Sequence, residues 1–144
     1  MPSFRLNDGE LDLPDGWEDR TVTALSYPRG AAKPEASFAV TRDRSPGPSG
    51  SLDAYVDKQL VDMAKTCPRF ALASRERIEL DGAPAQRLEF SWRSPDGSTV
   101  QQQQTVLLLP EGVALTLTAT AQQARFAEHA SAFDGLVRSF RLRR

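Results

Sequence analysis

Ala83-Pro84-Ala85-Gln86-Arg87-Leu88-Glu89-Phe90-Ser91-Trp92-Arg93 is the stretch that decides the fold. Leu88, Phe90 and Trp92 alternate with Arg87, Glu89, Ser91 and Arg93, the period of two that marks a strand with one covered face. Ser94-Pro95-Asp96-Gly97 is a turn, because proline presets φ and Asp-Gly accepts the positive φ of a tight reversal. Two more strand-like runs follow, Val100 to Leu109 and Val113 to Ala121, parted by Pro110-Glu111-Gly112. Two hairpins in succession make a three-stranded antiparallel meander. Its middle strand holds four consecutive glutamines, Gln101 to Gln104, so two glutamine side chains fall on each face. A covered glutamine requires hydrogen-bond partners.

Upstream, Arg75 to Leu80 reads as a further strand that Asp81-Gly82 turns into the meander. Before it, Ser51 is a good N-cap and Asp53 suits the first turn of a helix. Leu52, Tyr55, Val56, Gln59, Leu60 and Met63 then recur with helical spacing, and Pro68 ends the helix. Gln59 interrupts that apolar stripe. Asp43 to Gly50 is rich in Pro, Gly and Ser and reads as a loop. Ala36 to Arg42 is a strand with Phe38 and Val40 on one face and Ser37, Ala39 and Thr41 on the other. Thr21 to Tyr27 is a strand, and Phe4 to Leu13 gives two short strands about Asn7-Asp8-Gly9. Downstream, Ala124 to Val137 is helical, with Phe126, Ala130, Phe133 and Val137 as its apolar stripe. Phe140 to Leu142 is a short strand or an extended end. Segregated strands and helices predict one α+β domain over residues 1–144, an antiparallel sheet with the helices packed on one face.

Charge excludes several functions. The 144 residues carry 18 Lys+Arg against 19 Asp+Glu. That balance offers nothing to nucleic acid or to a membrane surface, and Arg141 to Arg144 reads as a solvated tail. A single cysteine, Cys67, allows no internal disulfide. No apolar run approaches the ~20 residues of a membrane span, and the N-terminus has no apolar signal segment. A cytoplasmic, soluble domain without membrane insertion is expected.

Catalytic chemistry is sparse. One His and one Cys do not supply the ligand set of a zinc site, and no glycine-rich phosphate loop is present. His129 reads as a surface residue of the last helix, and Cys67 as a space-filler. The acidic residues Asp8 to Asp19 lack EF-hand spacing and read as a solvated face. The expectation is no enzyme, no catalytic residues, no metal and no cofactor. The unusual feature is polar groups at positions expected to be covered: Gln59, the glutamine strand, Ser37 and Thr41. They belong either to a sheet edge in water or to a partly apolar, hydrogen-bonding concave surface that holds another chain.

Several stretches in order resemble one family. They are Leu13-Pro14-Asp15-Gly16-Trp17-Glu18-Asp19, Ser51 to Leu60, Leu80-Asp81-Gly82-Ala83-Pro84-Ala85, Leu88 to Trp92, the glutamine strand, Leu117 to Ala121 and Ser139-Phe140-Arg141. Together they resemble the DcrB-related proteins and, more closely, the Eag chaperones of bacterial type VI secretion. The resemblance implies a PsbP-like fold and a homodimer. It implies a chaperone that shields N-terminal transmembrane helices of a PAAR-containing effector and helps load it on the secretion spike. By position, it makes Val22 and Ala24 an apolar client-contacting pair and Ser37, Thr41, Gln59 and Gln104 polar client contacts. Gln102 joins them through the strand face it shares with Gln104. The alternative is a generic PsbP-like ligand-binding or structural module.

Overall fold

The computed structural model describes residues 3–5, 8–18, 20–44 and 50–143. The strands are β1 (Ser3–Arg5), β2 (Glu10–Asp12), β3 (Thr23–Tyr27), β4 (Ala36–Asp43), β5 (Ala71–Leu80), β6 (Ala83–Arg93), β7 (Thr99–Leu108) and β8 (Ala114–Gln122). The helices are α1 (Leu52–Thr66) and α2 (Phe126–Ser139), the second entered through a 3-10 turn, Gln123–Arg125. β1 and β2 pair with each other. Asn7 of the predicted Asn-Asp-Gly turn between them, and residues 45–49 of the Pro/Gly-rich loop, lie outside the described residues.

The other strands form one antiparallel sheet of six, in the order β3-β4-β8-β7-β6-β5. The expected meander is its spine, lengthened at the front because β5 begins at Ala71 rather than Arg75. Asp81 and Gly82 have φ of +50° and +80°, the paired positive values of a two-residue hairpin turn. β4 enters beside β8 and carries β3 on its outer edge. The class predicted from sequence, an α+β antiparallel sheet with helices, is what the chain adopts.

Register assigns every side chain to a face. Leu88, Phe90 and Val106 share one face with Gln102 and Gln104, and α1 packs there through Val56, Tyr55, Leu60 and Met63. Phe38, Leu107, Leu117 and Ala119 lie on the other, where α2 packs through Phe126, Phe133 and Val137. The helices are therefore divided between the two faces instead of stacking on one. Each helix has a single apolar stripe, and each face offers apolar residues at different strands: β6 and β7 for α1, β4 and β8 for α2. Burying both patches requires one helix on each side.

α1 starts and stops where local chemistry dictates. Ser51 Oγ accepts from the Ala54 amide at 3.1 Å, and Cys67 caps the end before Pro68. Its flank toward β5 and β6 is ionic. Arg75 donates to Asp57 at 2.6 Å and to Gln86 Oε1 at 2.8 Å, while Gln86, only 3% exposed, donates to Asp53. α2 differs from expectation in its stripe: His129, not Ala130, is the buried residue between Phe126 and Phe133.

Candidate functional site

The two helices sit diagonally, so each face has a half without a helix packed on it. On the α2 face that half is charged. Arg87 meets Glu76 and Asp134, and Gln103 donates to Glu89 at 2.9 Å. On the α1 face it is not. Across β3, β4 and β8 the same register brings together Ala24, Ser26, Ser37, Ala39, Thr41, Thr116, Thr118 and Thr120, all small or hydroxyl-bearing. These residues are half-exposed or exposed although most lie on inner strands of the sheet. The result is a shelf uncharged up to its far end, where Asp43 of β4 accepts from Tyr55 of α1, the wall on its β7 side.

Of the candidate residues, Ala24, Ser37 and Thr41 lie on this shelf, Gln102 and Gln104 border it on β7, Gln59 belongs to its α1 wall, and Val22 lies apart. Ala24 pairs with Ala39, Ser37 with Thr120, and Thr41 with Thr116. Gln102 lies opposite Thr120 and Gln104 opposite Thr118. Val22 precedes β3 and is 56% exposed, outside the paired register. Gln59 stands on α1, on the flank that reaches β4, as its neighbour Tyr55 shows by donating to Asp43 Oδ2 at 2.9 Å.

The polar groups are not equivalent. Gln102 is locked: its Oε1 accepts from Trp92 Nε1 at 2.9 Å and its Nε2 donates to Thr120 Oγ1 at 3.0 Å. Gln104 is half-buried, and its Oε1 is shielded without a protein partner among the described residues. Gln59 Nε2 donates to the Tyr55 hydroxyl at 2.8 Å. Burial, and then the Asp43 carboxylate, push the Tyr55 phenol well above its ordinary value, so it stays protonated.

His129 corrects the surface assignment made from sequence. It is 9% exposed, with Tyr27 edge-on at a ring distance of 5.4 Å, and its Nε2 lacks a protein partner among the described residues. It lines a cleft of about 530 Å³ between β3, β4 and α2, walled by Leu25, Phe38 and Phe133. Arg125, Glu35 and Glu128 also line it and are joined in an ion-pair network. Among the described residues no group of three His, Cys, Asp or Glu is placed to hold a metal ion.

Reasoning from sequence missed two parts of the shelf. Thr116, Thr118 and Thr120 alternate, so their common face was available from period two alone. The Asp43 and Tyr55 pair was not, because nothing local joins a strand end to a helix across an intervening loop.

Comparison with known proteins places this arrangement. The family model described as DcrB matches residues 8–139. A Pseudomonas aeruginosa protein named Effector EagT6 is 32% identical over 120 residues, covering 83% of either chain. The crystal structure of PA94, a P. aeruginosa protein of unknown function, superposes with a TM-score of 0.85 at 28% identity, over 100% of this chain and 98% of that one. The solution structure of cyanobacterial PsbP from Synechocystis superposes with a TM-score of 0.57 at 18% identity, over 92% of this chain and 99% of that one. That last likeness establishes a PsbP-like fold.

Proposed function

Because this chain belongs to the DcrB family, with EagT6 as a relative, we propose that it is a chaperone of type VI secretion. It holds N-terminal hydrophobic helices of a PAAR-containing effector before export and helps load that effector on the spike. The observation that carries this is the uncharged shelf on the α1 face, set against the charged half of the α2 face. Both halves are open, but only one has the composition a membrane helix packs against. Helices in bilayers associate through small residues and hydroxyl or amide side chains, which are the residues of this shelf. A transmembrane helix in water exposes an apolar surface that invites aggregation, and a shelf of alanine, serine and threonine covers it without demanding a charge on the client.

In this proposal Ala24, Ser37, Thr41, Gln59, Gln102 and Gln104 contact the client, with Val22 at the border. The protein binds and does not catalyse. It works in the cytoplasm as a homodimer, and the exposed Leu25 and Tyr27 of the edge strand leave apolar surface for a second copy. No helix among the described residues is long and apolar enough to cross a membrane.

Co-expression tests the proposal. The double variant Gln59→Ala with Gln104→Ala should lose co-purification of an effector N-terminus bearing hydrophobic helices and lower its level in cells, while its melting temperature stays close to the wild type. Intact capture with a large fall in melting temperature would make both ordinary structural glutamines. The cleft beside His129 favours a second reading, a small-ligand module of the PsbP-like kind. Filling that cleft with Ala132→Phe would abolish ligand binding under that reading and leave client capture intact under the first.

A further inference from the structure

The Asp43, Tyr55 and Gln59 side chains form a relay with a direction. A carboxylate only accepts hydrogen bonds, so the single hydroxyl hydrogen of Tyr55 goes to Asp43 Oδ2, 2.9 Å away. The Tyr55 oxygen is then left with lone pairs alone. Gln59 must turn its NH2 toward that oxygen, and does so at 2.8 Å. An amide whose nitrogen is held this way presents its Oε1 at the other corner. Among the described residues that oxygen has no protein partner.

We propose that Asp43 and Tyr55 are positioning residues that fix which atom of Gln59 the groove offers, making it a hydrogen-bond acceptor and so selecting clients with a donor on the helix face they present. The donor class is a serine or threonine hydroxyl, since the amide hydrogens of a helix are already engaged within it. Three observations converge. The relay spans from the wall of the groove to the end of β4 in its floor. The opposite flank of α1 is pinned independently, by Arg75 to Asp57 and by Gln86 to Asp53, which leaves the relay free to set orientation rather than hold the helix down. The protonated phenol keeps the order of donors and acceptors intact. This inference rests on the groove being the client site.

The experiment uses the full chain and two synthetic helices. Each is a 20-residue Leu/Ala peptide with lysines at both ends; one carries three serines along a single face, and the other has O-methylserine there, which accepts a hydrogen bond but cannot donate one. The readout is the ratio of the two affinities by fluorescence anisotropy. Wild type should prefer the serine peptide by about fivefold, the yield of one hydrogen bond net of water. In Tyr55→Phe and in Asp43→Asn, which releases the orientation because an amide can also donate, the ratio should fall toward one. A ratio that persists in both variants overturns the inference and leaves the groove in place. So does equal weakening toward both peptides with the ratio retained, since that marks a structural role. A wild type that binds neither peptide overturns the groove reading and the inference with it. NMR of the Gln59 side-chain amide needs no client: Tyr55→Phe should move its two proton signals to the positions of a free glutamine side chain, and unchanged positions would also count against the relay.

Discussion

Gln104→Met should make the free protein more stable and a worse chaperone. Gln104 lies in mid-sheet on β7, opposite Leu88 on one side and Thr118 on the other. Its Oε1 is shielded and has no protein partner among the described residues. A buried amide oxygen left without a donor costs ~1–3 kcal/mol. Methionine keeps the length and flexibility of the side chain while removing both polar ends, and it adapts to irregular gaps. Gln104 is half-buried, so the lower end of that range applies, ~1 kcal/mol of added stability. For a domain of this size that raises Tm by about 3 °C. Urea unfolding would read the change as a higher midpoint at unchanged slope. In the same variant, capture of a hydrophobic effector N-terminus should weaken, because Gln104 can turn its shielded acceptor outward to a client donor and methionine has none to offer. A fall in Tm would refute the reasoning: it would show that Oε1 is satisfied in the free protein and that no latent acceptor waits for a client.

Two other outcomes follow from the same geometry. Trp92 packs at the margin of the α1 core and donates to Gln102, so Trp92→Ala should cost about 3 kcal/mol; a loss under ~1 kcal/mol in urea unfolding would invert its face assignment. Asp96 accepts from the Ser98 amide at 2.9 Å, from Ser98 Oγ at 2.6 Å and from Ser94 Oγ, and the two hydroxyls, then the amide, hold its carboxyl well below the ordinary range. A depressed carboxyl stabilises fully above its unfolded value near 4 and loses that contribution as pH falls below it, so Asp96→Asn should flatten the dependence of Tm on pH between about 4 and 2; an unaltered acid limb would show that the turn contributes nothing there.

What the sequence alone determined is local. Leu88, Phe90 and Trp92 set a strand by alternation, Asp81-Gly82 set a hairpin by its tolerance of positive φ, and Ser51 and Pro68 set the ends of α1. Each depends on backbone geometry and a neighbour few residues away. The order of motifs also sufficed for the family, and period two put Ser37 with Thr41 and Gln102 with Gln104. Only the tertiary structure decided how these pieces meet. An amphipathic helix declares one apolar stripe but not which side of a sheet will take it, so dividing α1 and α2 between faces could be seen only once β4 had paired with β8. His129 and Ala130 are adjacent on α2, close enough in angle that the stripe admitted either, and the ring of Tyr27 settled it. The uncharged shelf and the Asp43–Tyr55–Gln59 relay have the same origin. Hydrogen bonds and faces shared between distant elements carry no periodic trace, because they follow from which apolar surfaces are buried together.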